Sequence, residues 1–251
     1  MSDFDRNVAA RGFGATRAAI DVGLRAYMLR VYNYMAAGVA LTGVVAWFTY
    51  NAAVVTDATG RITGLTSFGQ TIFSGPLTIV LFLATLGIVF FMSFRIDRLQ
   101  PSTALMLFMG YAALLGLMLS SVFLAYTGAS ITRTFFISAA SFGALSLYGY
   151  TTQRDLSPIG SFLIMGLFGL ILAMVVNIFL KSTGLDFAIS AIGVLIFAGL
   201  TAWDTQRIKE MYDVNDDGSV AGRKAVMGAL ALYLDFINLF LFLLRFMGDR
   251  R

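Results

Sequence analysis

Charged residues punctuate this chain at intervals and leave long stretches with none. No Asp, Glu, Lys or Arg occurs in 31–56, 62–94, 99–132, 134–153, 156–180 or 187–203, and a seventh apolar stretch, 225–244, is broken only by Asp235. A helix rising 1.5 Å per residue needs about 20 apolar residues to cross about 30 Å of hydrocarbon. The runs lack two-residue alternation, so helices rather than barrel strands satisfy their backbone in lipid. The pattern predicts spans near 31–50, 76–95, 103–125, 132–152, 158–180, 186–206 and 225–244. The first run begins only after about 30 mostly polar residues and lacks the usual small-residue cleavage site, so it reads as a span rather than a leader. Residues 1–26 read as a mobile cytoplasmic segment, with a short interfacial helix around 15–29, ahead of a transmembrane domain over 27–248. No segment repeats, so the spans form one domain. The fold class is all-α: a polytopic membrane protein.

Composition narrows the chemistry. Of 251 residues, 58% are hydrophobic and 13% charged, and the mean hydropathy is +0.80; a soluble domain carries about 25% charged residues. There is no Cys and no His, which removes disulfides, thiolate chemistry, Ser-His-Asp triads and His-ligated zinc. Three lysines, Lys181, Lys209 and Lys224, lie outside the spans, so none serves a buried Schiff base. Two intramembrane aspartates invite comparison with aspartyl proteases, but no glycine precedes either one in Ala202-Trp203-Asp204 or Tyr233-Leu234-Asp235. The chain reads as no enzyme and as needing no cofactor. Its net charge of +4 speaks to membrane topology rather than to nucleic acid.

Counting Lys and Arg on alternate sides gives Arg6, Arg11, Arg17, Arg25, Arg30, Arg95, Arg98, Arg154, Arg207, Lys209, Arg223 and Lys224 on the N-terminal side, against Arg61, Arg133 and Lys181 opposite. The N-terminus is expected in the cytoplasm. Arg245, Arg250 and Arg251 fall outside if the seventh helix crosses fully and inside if it is re-entrant; the count leaves both open. Small residues recur at helical spacing, as in Ala36/Ala40, Ala139/Gly143 and Gly166/Gly169. They read as tight packing within the bundle or, alternatively, as a homodimer face.

Two carboxylates stand where lipid disfavours them. Asp204 lies near the cytoplasmic end of the sixth span in TAWDTQRI, and Asp235 lies midway along the seventh in LYLDFINLF. An ionised residue at the bilayer centre costs at least about 2.5–3.5 kcal/mol on insertion scales. Arg207 is one turn from Asp204 and offers a local ion pair, with Gln206 beside it. Asp235 has only Asn238 one turn away; Lys224 and Arg245 are about 16 and 15 Å distant along the axis. The second span ends on the cytoplasmic side at Arg95, so Arg95 either meets Asp204 across helices or snorkels to headgroups. If Asp204 and Asp235 meet, burial and repulsion disfavour the doubly ionised state, and the pair shares one proton. Such a pair is also a hard-oxygen site suited to calcium.

In the loop 207–224, Asp213, Asn215, Asp217 and Gly218 match EF-hand positions 1, 3, 5 and 6, but the twelfth position is Lys224 rather than Glu. A polar turn explains the segment better than a cation site.

YMLRVYNYMAAGVALTG (27–43), DTQRI (204–208) and LYLDFINLFLFLLRFMG (232–248) together resemble the Bax inhibitor-1-like family, the transmembrane Bax inhibitor motif-containing proteins. The resemblance covers essentially the whole chain from Arg25 to Gly248. It implies a seven-helix bundle with the last helix central, wrapped by the other six. It also implies a pH-sensitive calcium leak in a bacterial inner membrane, gated by Asp204 and Asp235 with Arg95 as a basic latch. Bacterial relatives include modulators of a membrane-bound protease, so a non-transporting regulator with such a partner is the alternative. The 207–224 loop looks longer and more charged than in compact bacterial members.

Overall fold

The computed structural model describes residues 3–58 and 61–251, with side chains described from Val22 onward. The mobility expected of 1–26 falls largely on residues whose side chains are not described, and the helix expected over 15–29 is no separate short element but part of α1. All seven expected spans are helices, but several depart from the expected bounds, α1 most of all, since it begins at Asp3 rather than near residue 31. In chain order they are α1 (Asp3–Ala53), α3 (Leu77–Arg95), α4 (Pro101–Leu119), α6 (Gly128–Thr151), α7 (Ser157–Leu180), α8 (Thr183–Glu210) and α9 (Gly218–Met247). Two short helices, α2 (Ser67–Ser74) and α5 (Val122–Ala125), a 3₁₀ turn (Ile96–Arg98) and an antiparallel hairpin of β1 (Val54–Thr56) with β2 (Ile62–Leu65) complete the described elements.

Capping sets the boundaries. Thr127 accepts from the Ser130 N–H, Ser182 from Leu185 and Asp217 from Val220, which starts α6, α8 and α9. Each satisfies one of the orphan donors at a helix start. Lys181 adopts φ 49° at the end of α7, and Asn177 Oδ1 accepts the Ser182 N–H. The chain thereby reverses within two residues.

Six helices are long and apolar enough to cross a membrane. The seventh, α6, is less apolar because Ser130, Thr134, Ser138 and Ser146 are buried along one face at four-residue spacing. That face looks into the protein, not at lipid. Helix α9 is the centre: Tyr233, Leu232, Leu239 and Leu244 are buried on all its sides. It packs against α1, α4, α6 and α8, whereas α3 leans mainly on α4, and α7 on α8. The six helices thus surround the seventh in two tiers. On α7, Phe162, Met165, Phe168, Leu172 and Phe179 are exposed, as expected of a surface solvated by hydrocarbon.

Helix α9 runs unbroken, which settles the choice left by the charge count: it is not re-entrant. Its C-terminal tail is tied to the chain before α6. Thr127 donates to Asp249 O, Arg251 to Ala125 O, and Asp249 to Ser130 Oγ. The C-terminal tail therefore lies at the end of the bundle that carries Tyr50 of α1, which Arg251 reaches. Arg245 and Arg250 both pair with Asp186 at the start of α8, and Arg133 pairs with Asp249. Two of the three arginines that oppose the topology rule share this carboxylate.

The small-residue pairs flagged in the sequence do not make the closest contacts. Gly166 approaches Ile196, but a Cβ on Gly143 or Gly169 would meet nothing within 4 Å. The tight crossings are elsewhere. A Cβ on Gly149 would lie 2.1 Å from the Ala202 carbonyl oxygen, where α6 meets α8. Because that neighbour is backbone, Gly149→Leu is expected to destabilise the protein by at least the about 1–3 kcal/mol of overpacking, whereas Gly143→Leu is near neutral. Thermal unfolding in detergent distinguishes them, and equal midpoints would refute this assignment of the crossing.

Candidate functional site

The α8–α9 contact carries both intramembrane carboxylates. The two helices run antiparallel and pack more extensively on each other than any other pair. Ile208 sits against Gly228, and Phe242 against Gly193. That register brings Asp204 on α8 level with Asp235 on α9, and their carboxyls lie within hydrogen-bonding reach. Asp235 is buried, and its Oδ2 receives no hydrogen bond. Asp204 keeps 15% of its side chain exposed and has Arg207 at 4.0 Å. The pair therefore has a buried member and a member open to the N-terminal side of the bundle.

Two ionised carboxylates have acceptors only, so a hydrogen bond between them would require a proton on one. No other donor compensates Asp235. An ionised carboxylate in that position would be desolvated and unpaired, the most costly arrangement a buried acid can have. One proton held between the two oxygens removes one charge and supplies the missing donor together.

The other sequence candidates take different places. Arg207 is mostly exposed and stacks over the Trp203 ring, with its guanidinium carbon 5.5 Å from the ring centroid. Its pair with Asp204 is thus a solvated one, worth little by itself. Gln206 is not part of the carboxyl site: its Nε2 donates to Arg154 O and its Oε1 accepts from the Leu156 N–H, both at 2.8 Å. It fastens the α6–α7 connection to α8. Asn238 is also removed from the site, because its amide donates to Leu234 O within its own helix. Arg95 ends α3 exposed and forms no ion pair among the described residues, so this conformation does not bring it to Asp204. The acids of the 207–224 loop are committed to their own turn. Asp213 accepts from Asn215, Asp216 pairs with Lys224 at 2.6 Å, and Asp217 caps α9. The lysine in the twelfth position fills the place where a bidentate ligand would be needed.

Two hydroxyl ties beside the pair escape a sequence reading. Tyr233, two residues before Asp235, is fully buried and lies 2.6 Å from Thr42 Oγ1, which in turn is 2.9 Å from both Gly38 O and Ala112 O. Thr42 has one proton and gives it to these carbonyls, so Tyr233 is the donor to Thr42. Tyr32, Ser146 and Thr205 form a second chain, at 2.6 and 2.9 Å, joining α1, α6 and α8 next to Asp204. Isolated hydroxyls are too common in membrane helices to signal this. Tyr233→Phe removes only the donor and is expected to lower stability by about 0.5–1.5 kcal/mol. Thr42→Val should cost more, since it strands the buried phenol. A thermal-shift comparison of the two variants checks the order.

An all-α bundle with a carboxyl pair enclosed between its last two long helices defines a polytopic membrane protein with an ionisable site in its core. The family model described as Inhibitor of apoptosis-promoting Bax1 matches residues 24–251. The chain is 51% identical over 254 residues to an uncharacterized protein of Rickettsia prowazekii, covering 100% of both. It is 48% identical over 233 residues to the inner membrane protein YbhL of Escherichia coli K12, covering 91% of this chain and 94% of that one. With an uncharacterized protein of Caulobacter vibrioides it shares 44% over 259 residues, again the full length of both. The chain belongs to the Bax inhibitor-1 family.

Proposed function

We propose that this protein is a passive, proton-regulated calcium leak of a bacterial inner membrane, with Asp204 and Asp235 as the switch. The observation that carries the reading is the buried Asp235 carboxyl, without any donor but its neighbour on α8. In an otherwise apolar bundle, such a group is retained for ions or protons far more readily than for stability. The inner membrane follows YbhL, whose name places it there, and the basic excess on the N-terminal side argues for a cytoplasmic N-terminus.

Calcium is cargo on this reading. It takes six to eight oxygens, whereas the described residues contain no group of three or more acidic, His or Cys side chains suited to hold a metal. Two carboxylates with water complete a shell only transiently, which suits passage rather than storage. When the pair shares its proton, Arg95 is free. When the proton leaves, the ionised Asp204 attracts Arg95 from α3 and the latch closes the cytoplasmic end. Flux accordingly rises as pH falls. The other expectation, a regulator bound to a membrane-bound protease, draws on the N-terminal segment and on the 207–224 loop, whose acids are already engaged.

The test is calcium entry into dye-loaded proteoliposomes over about pH 6 to 8, where a coupled carboxyl pair changes state. Flux above that of protein-free vesicles, increasing towards acid, is expected. Arg95→Gln should raise flux at the alkaline end several-fold and leave the acid end unchanged. Flux equal to empty vesicles at every pH would refute the leak.

A further inference from the structure

Helices α1 and α6 both rest on α9 but take their main neighbours elsewhere, α1 on α4 and α6 on α8. Between them runs an open groove with Phe236 of α9 in its floor. Its end nearest the start of α1 has a volume of about 620 Å³ and its middle section about 580 Å³; Met35, Ala36 and Phe142 line both, so the groove is continuous. This is where the small residues singled out in the sequence point. Ala36 and Ala40 line one wall and Ala139 and Gly143 the other, and a Cβ on Gly143 would meet open space. Ala36 and Ala40 are exposed, while Ala139 is half-buried against the core.

The chemistry of the groove changes in order along its length. Arg25 stands at the mouth, exposed and without an ion-pair partner among the described residues. Opposite it is Tyr150, whose carbonyl accepts from Lys209 and whose ring lies 5.4 Å from the same ammonium. Deeper in, the joined hydroxyls of Tyr32 and Ser146 give the only polar step. Beyond them the middle section is entirely apolar. Cation, then hydroxyls, then hydrocarbon wall is the sequence phosphate, glycerol ester, acyl chain read along a phospholipid. A basic pocket between membrane helices is a recognised form of anionic headgroup site. Water would not fill so apolar a space. A partner's transmembrane helix seated against the alanines would leave Arg25 and the polar step unused.

We infer that the α1–α6 groove is a site for one anionic glycerophospholipid, with its phosphate at Arg25 and an acyl chain along Ala36 and Gly143. The site is separate from the carboxyl pair, although the Tyr32–Ser146–Thr205 chain links the groove wall to the residue after Asp204.

Native mass spectrometry of the full chain in detergent, titrated with phosphatidylglycerol or phosphatidylcholine, tests this. A preference for phosphatidylglycerol of about fivefold per basic group engaged is expected. Arg25→Gln, a change at an exposed position, should reduce that preference. The double variant Ala36→Leu/Gly143→Leu, which fills the groove, should weaken binding of both lipids while keeping helicity and monodisperse elution. Equal binding of the two lipids by the unaltered protein would overturn the inference. So would a preference untouched by Arg25→Gln. A dimer peak lost in the double variant would overturn it as well, by showing that a second chain's helix occupies the groove.

Discussion

Asparagine in place of Asp235 is expected to flatten the pH dependence of calcium flux across the range in which the unaltered protein responds. Asparagine keeps the shape and a hydrogen-bond donor but cannot ionise, so the pair loses its exchangeable proton while the α8–α9 contact is kept. Asp204 in that variant has a permanent amide donor at the position of the shared proton and keeps Arg207 at its exposed side. The variant should therefore hold one rate at all pH values rather than a shifted titration. Asp204→Asn should flatten the profile too. In Asp235→Asn the ionised Asp204 holds Arg95 at every pH, whereas Asp204→Asn leaves no anion for that latch, so the double variant should resemble Asp204→Asn instead of adding the two effects. A full pH response surviving in Asp235→Asn would place the switch elsewhere.

The second large effect is on stability. Asp204→Leu leaves Asp235 buried with its Oδ2 still unsatisfied and its one polar neighbour removed. An orphaned buried polar group costs about 1–3 kcal/mol. Replacing both acids with leucine should recover most of that loss, since a buried polar pair exchanged for well-packed apolar residues is often neutral or stabilising. Unfolding of the two single variants and the double variant in the same detergent measures the coupling. Additive losses would mean that the carboxyls do not depend on each other.

How far the sequence shows these features varies with their physics. Hydrocarbon imposes a length and an apolar composition on any span, so charge-free runs locate seven helices before coordinates exist. The same constraint makes Asp204 and Asp235 conspicuous, and antiparallel topology is enough to bring them to one helix pair. What sequence does not give is direction around a helix axis. Gln206 and Asn238 stand two and three residues from the carboxylates, yet each turns to a backbone carbonyl and leaves the site. Arg95 ends its helix at the end of the bundle where Arg223 of α9 reaches Leu99 O, but it is exposed in this conformation. Glycine spacing misleads for the same reason: Gly143 borders an open groove, while Gly149, six residues on, carries the close crossing. The hairpin 54–65 is hidden because its strands are three and four residues long and pair only once α1 and α2 bring their ends together. Helix α6 is legible as a charge-free run, but its inward polar face becomes intelligible only with its neighbours in place.

A proton shared between Asp204 and Asp235 is read most directly by infrared difference spectroscopy between acid and alkaline forms in membranes. A carboxylic acid band that disappears with rising pH is expected in the unaltered protein and is expected to be absent from the difference spectra of both Asp204→Asn and Asp235→Asn. A band unchanged by either substitution would contradict it.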